Sequence, residues 1–179
     1  TGDLGVVVER AAGRVLVVGD AMLAGGHVAT AGEVKGDLVA AGGEVSIGGS
    51  VGDDLYVAGG DVQVDAIVAG NARVAGGDVA LGPATTIAGG LSLTGGRIRF
   101  EGNAQEYLKA SGASVRVDGV VRGDAEVHAE EVEIGPNTRI DGKLVVHSAR
   151  EPALPEGAQI AGGIEFHQTD VGDYVDEHE

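Results

Sequence analysis

A glycine followed by an acid or its amide recurs along this chain every 17 residues: Gly2-Asp3, Gly19-Asp20, Gly36-Asp37 and Gly70-Asn71, with Asp53-Asp54 in the same frame. The second residue of each pair marks one fixed point in the unit. The frame runs on through Gly90, Tyr107, Asp124, Lys143 and Gly163. Two steps lengthen to 19 residues, and both contain related text, Gly82-Pro83-Ala84-Thr85 and Gly135-Pro136-Asn137-Thr138. Each reads as a corner with two residues added. The last step, of 20 residues, crosses Glu151 to Gly157 and carries Pro152 and Pro155. A repeat of this length is a single supersecondary unit. One unit cannot bury its apolar side alone, so neighbours must stack into a solenoid.

Apolar residues keep fixed places within the unit. One and three residues after the marker stand Ala21/Leu23, Leu38/Ala40, Leu55/Val57, Ala72/Val74, Leu91/Leu93, Leu108/Ala110, Ala125/Val127 and Leu144/Val146. A corner follows, often Ala-Gly-Gly, and then a second alternating pair such as Val45/Ile47, Val62/Val64, Ile98/Phe100 or Val132/Ile134. A third apolar site precedes the next marker by three residues: Val34, Val51, Val68, Ile87, Ala104, Val121 and Ile140. Strict alternation means strands with one buried and one wet face. Runs of three to five residues are too short for helices, and β-branched residues dominate the inward set. The pattern predicts three short strands per unit, joined by tight corners where glycine supplies positive φ.

The fold class is therefore all-β: a single parallel β-helix with triangular, three-strand coils of 17–19 residues. About nine coils at ~4.8 Å each make a rod of roughly 40 Å. Leu38, Leu55, Val57, Val62, Val64 and Val68 form its inward column. The first coil is weaker, with Ala11 and Gly13 at the second-strand sites. The repeat assigns residues 1–166 to the solenoid. From His167 to Glu179 the pattern stops and acids prevail, which reads as a mobile acidic tail or linker stub.

Composition narrows the function classes. Phe100, Phe166, Tyr56, Tyr107 and Tyr174 are the only aromatics. Val, Ile, Leu and Ala must fill the interior, which suits many thin layers better than one broad core. The formal net charge of −16 repels phosphates and excludes nucleic acid as a partner. Three lysines, Lys35, Lys109 and Lys143, face 28 acids, a surface suited to high salt because screening relieves its self-repulsion. With no cysteine there is neither a disulfide framework nor a thiolate metal site. No apolar stretch approaches the ~20 residues of a membrane span. The chain begins at Thr1, as a processed form that has lost a signal peptide or an anchor would.

The 17-residue unit text, for example Gly36-Asp37-Leu38-Val39-Ala40-Ala41-Gly42-Gly43-Glu44-Val45-Ser46-Ile47, resembles that of the bactofilins, the polymer-forming cytoskeletal proteins. The resemblance covers Gly2 to Phe166. It implies a right-handed β-helix that assembles end to end into filaments without a nucleotide, with roles in cell shape or in placing envelope enzymes. Bactofilin cores are usually shorter, with disordered, often proline-rich tails. The final portion, Leu144 to Gly163, looks like a haloarchaeal, membrane-anchored subgroup. That likeness implies a place at the membrane or cell envelope: outside the membrane if a signal peptide was removed, otherwise on the cytoplasmic face.

Ladders of polar residues are the other candidates for chemistry. Asp3, Asp20, Asp37, Asp54 and Asp124 stack in a marker column with Asn71. His27, Glu44, Asp61, Asp78, Arg97, Ser114 and Glu131 form a second column. Stacked carboxylates repel unless screened or bridged, so a calcium ladder competes with plain corner chemistry. The Gly-Gly-x-Gly-x-Asp text of calcium-binding β-rolls is absent. His128 and His147 stand at the same place in adjacent coils, a metal-chelating pair lacking a third ligand. Tyr56 is the one outward aromatic, too little for sugar stacking in a carbohydrate-active helix. Nor do the repeats fit the hexapeptides of left-handed acyltransferases. No phosphate-cradling motif or nucleophile–base constellation stands out.

These readings converge on a structural protein, with no catalytic or cofactor-binding residues. The end coils of a β-helix offer unpaired backbone and a slice of apolar core, an edge that invites another chain. Leu4, Val6, Ile164 and Phe166 are the assembly candidates, and the partner is another copy, with envelope proteins or a membrane beside it. The alternative is a rigid, non-polymerising ectodomain that binds an envelope partner.

Overall fold

The computed structural model describes the strand backbone at Leu4–Val7 and Arg10–Gly13 and all of residues 16–169. Every regular element among them is a strand, and every pairing is parallel. The register reproduces the repeat frame. Ala21, Leu38, Leu55, Ala72, Leu91, Leu108, Ala125, Leu144 and Ile164 pair in succession along one line. The chain is a β-solenoid of stacked coils.

Each coil has three faces, but the first two are not separate strands. Ala72–Leu81, Leu91–Phe100, Leu108–Val117 and Ala125–Ile134 each run ten residues through the corner. The third face is a two-residue strand, such as Thr86–Ile87. In Leu38–Val51 and Leu55–Val68 all three faces join into 14 residues. The first corner is a bend within a hydrogen-bonded ladder, so it needs no turn.

The role of the corner glycines differs accordingly from the sequence expectation. Among the described residues only Gly49, Gly157 and Gly163 have positive φ, at 84°, 101° and 82°. The Ala-Gly-Gly corners need glycine for proximity instead. A Cβ on Gly42 would sit 2.4 Å from the carbonyl oxygen of Gly25, and one on Gly95 2.4 Å from that of Gly76. The bending strand brings its backbone onto the coil below, leaving no room for a side chain.

The core is one apolar column. Leu38, Leu55, Val57, Val62, Val64 and Val68 are all buried, as are the third-face residues Val34, Val51, Ile87, Ala104, Val121 and Ile140. Buried Thr85 and Thr138 occupy the two lengthened corners. Their hydroxyls donate to the carbonyls of Val64 and Val117, both at 2.7 Å. Among the described residues no buried side-chain N or O lacks a partner.

The C-terminal end departs from the regular coil in two ways. Pairing between Ala125–Ile134 and Leu144–Ser148 stops at His128 and His147, so the second face ends one coil early. The irregular run 149–158 takes its place, with Pro152 buried and Gly157 close against Pro136. Prolines cannot extend a ladder, so that edge is blunted. The first face continues instead through Ile164–Gln168, two residues past the boundary at 166 expected from sequence. His167 thus belongs to a strand, and the expectation that the pattern stops there is corrected. The rest of the expected tail, 170–179, lies outside the described residues.

Candidate functional site

The marker carboxylates satisfy the backbone of the next coil. Asp20, Asp37 and Asp54 accept, through Oδ1, the backbone N–H of Asp37, Asp54 and Asn71 at 2.9, 2.8 and 2.7 Å. Asn71 and Asp124 do the same for Gly90 and Lys143, both at 2.8 Å. One oxygen of each carboxylate is thereby engaged by an amide dipole, which offsets the repulsion along the column. The ladder lapses at Gly90, where the ring of Tyr107 lies so close that a Cβ would fall 2.1 Å from it. Tyr107 is 37% exposed, so Tyr56, at 39%, is not the only outward aromatic.

The second column is also in register, with Glu44, Asp61 and Asp78 on successive coils. Basic residues punctuate it. His27 Nδ1 lies 3.1 Å from Glu44, and Arg97 Nε 2.6 Å from Asp78. These pairs are exposed, so solvent screens them and they add little to stability.

The assembly candidates lie at the two ends. Leu4 and Val6 belong to a strand paired in parallel with Ala21–Ala24, and their side chains lie outside the described residues. Ile164 and Phe166 are half-buried and pack against the core with Ile160. Among the described residues, Ile164–Gln168 pairs only with Leu144–Ser148, and Gln159–Ile160 only with Arg139–Ile140. Among the described residues the last coil therefore presents free strand edges around partly exposed apolar side chains.

A ladder of imidazoles runs up the first face near this end. His128 and His147 are in register, and His147 is in register with His167. The first two rings stack with centroids 4.0 Å apart and planes at 5°; the next pair is 4.8 Å apart at 13°. Alternation places Glu126 on the same outward face as His128, two residues before it. His128 Nε2 donates to Glu126 Oε1 at 2.7 Å, and His147 Nε2 lies 4.0 Å from the same oxygen. His167 Nε2 meets Glu165 Oε1 at 2.8 Å in the same way, and Lys143 Nζ pairs with the other oxygen of Glu165. Burial, and then the charges that His128 and His167 can carry, hold His147 below the ordinary imidazole value. The hydrogen bond from His128 holds Glu126 below the usual carboxylate value. Lys143 and His167 do the same for Glu165.

The structure thus gives the sequence-derived pair His128 and His147 a third potential ligand, Glu126, and a third imidazole, His167. The signal for both was present. Each of the three histidines stands four residues past its marker, Asp124, Lys143 or Gly163, and Glu126-Val127-His128 matches Glu165-Phe166-His167. No protein-family model, curated protein or solved structure matches this chain.

Proposed function

We propose that the chain is a structural, self-associating solenoid: a polymer-forming scaffold of the bactofilin type, joined end to end through its terminal coils, and not an enzyme. The observation that carries this reading is the last coil. Its strand Ile164–Gln168 has one paired and one free edge among the described residues, beside half-exposed Ile160, Ile164 and Phe166. Parallel strands with such an edge accept a further coil with the same hydrogen-bond geometry and the same apolar column. One end contact is small, so persistent filaments need many copies or a membrane surface that concentrates them. The acidic flanks limit side-to-side contact and leave the ends as the preferred meeting point. The scaffold acts at the membrane or cell envelope, with a membrane or envelope proteins as secondary partners.

A second reading has its own observation. The run 149–158, with buried Pro152, blunts one of the three sides at this end. A chain so protected would serve as a rigid ectodomain for an envelope partner. Sedimentation velocity and negative-stain electron microscopy, at low and at molar salt, separate the two. Rods or filaments longer than one solenoid, shortened by Ile164→Asp or Phe166→Asp, are the outcome expected of a scaffold. A single monomeric species at every salt concentration overturns polymerisation and leaves the ectodomain.

A further inference from the structure

We propose that Glu126, His128 and His147 form a binding site for a divalent transition-metal ion of the zinc class, with water completing the coordination. The site is independent of whether the chain polymerises.

The geometry supports this in three steps. First, the ligands are held by the register of the sheet rather than by a loop. His128 and His147 occupy paired positions, and Glu126 shares their outward face. One ligand atom from each of the three residues lies within 4.8 Å of the others. Second, the spacing brackets what zinc requires. Bonds of about 2.0–2.1 Å in a tetrahedron set ligand atoms about 3.3 Å apart. Glu126 Oε1 lies 2.7 Å from one Nε2 and 4.0 Å from the other, so small opposite movements of these partly exposed side chains reach that value. Third, a fourth position is open to water from the solvent side; the His167 ring stacks 4.8 Å beyond His147, away from His128, and pairs with Glu165 instead.

The donor set selects the kind of metal. Calcium and magnesium take six or more oxygens, which one carboxylate among imidazoles does not offer. Imidazole nitrogen favours zinc, nickel and copper. The carboxylate column Glu44, Asp61 and Asp78 offers a single imidazole, His27, which pairs with Glu44, and Arg97 already pairs with it at Asp78. A bound ion would tie together the coils that start at Asp124 and Lys143, at the point where second-face pairing ends. Because it engages the folded register alone, it raises stability by mass action.

Zinc is titrated calorimetrically into the chain purified without a polyhistidine tag, with thermal melting followed in parallel by circular dichroism. One saturable site and a raised Tm are expected with zinc, and neither with calcium or magnesium. His128→Gln combined with His147→Gln is expected to lower zinc affinity about tenfold or more, with an unchanged metal-free spectrum. His27→Gln, far from the site, is expected to leave affinity unchanged. Absence of saturable binding at submillimolar zinc overturns the proposal and leaves a hydrogen-bonded surface stack. Equal affinity in the double variant also overturns it.

Discussion

The marker aspartates Asp20, Asp37 and Asp54 stand one above another, and by charge alone they should push the coils apart. They do the opposite because Oδ1 faces the amide of the coil above, as Asp54 does for Asn71 at 2.7 Å. What the position needs is an oxygen acceptor, not a charge. Asn71 demonstrates this, holding the N–H of Gly90 at 2.8 Å with a neutral amide. Asp54→Asn is therefore expected to unfold in urea at the wild-type midpoint or slightly above it, since repulsion falls while the bond remains. Asp54→Ala is expected to lose about 1 kcal/mol, because the amide of Asn71 then has only water to meet. Equal losses in both variants would show that the charge itself matters. The column was legible in the sequence, since the period alone places the residues. Whether the carboxylates faced cations or the next coil was not, because a period fixes position and leaves side-chain direction open. Alternation put Glu126 on the outward face beside His128, and the pairing of His128 with His147 followed directly from the frame, but only the fold shows the carboxylate within reach of both rings.

At the scale of the element, the corner is where sequence reading and structure diverge most. Glycine there was readable, but two different demands select the same residue. Positive φ and close approach both exclude a side chain, and only the packing of the coil below shows that proximity is the cause at Gly42 and Gly95. The lengthened corners make a sharper case. Both were visible as two added residues, yet nothing in the spacing said why each ends in threonine. In the fold the Thr85 hydroxyl donates to the carbonyl of Val64, which also accepts the N–H of Gly82 at 2.9 Å. Thr138 repeats this with Val117 and Gly135. Thr85→Val keeps the shape and removes one hydrogen bond while that carbonyl retains its backbone partner. A loss of about 1 kcal/mol is expected in denaturant unfolding, and the same for Thr138→Val. Because the two corners lie in different coils with no shared partner, the double variant is expected to lose the sum.

The whole molecule is a one-dimensional stack, and its stability is distributed as in one. Each coil contacts only its neighbours, so the interior of the rod has two interfaces per coil and the ends have one. The inward column was the most legible part of this architecture, because alternation with a fixed period states which side chains share a wall. The C-terminal boundary was the least legible: a run of acids after Gln168 masked the two strand residues His167 and Gln168, which follow the frame without adding to the core. The stack also decides where damage spreads. Val62 is 3% exposed, in the middle of the rod. Val62→Asp places an unpaired carboxylate between two coils, costing at least about 3 kcal/mol where neither neighbour can move away. Ile160 lies in the half-exposed last coil, where the same charge can turn to solvent. Thermal melts are expected to show Ile160→Asp close to wild type. Val62→Asp is expected to lose the cooperative transition or split it in two, with limited proteolysis cutting near the centre. A single wild-type-like transition for Val62→Asp would mean that the coils at Leu38–Val51 and Leu55–Val68 do not share one core. An equally severe loss in Ile160→Asp would instead mean that the rod's stability is held at its C-terminal end rather than along its length.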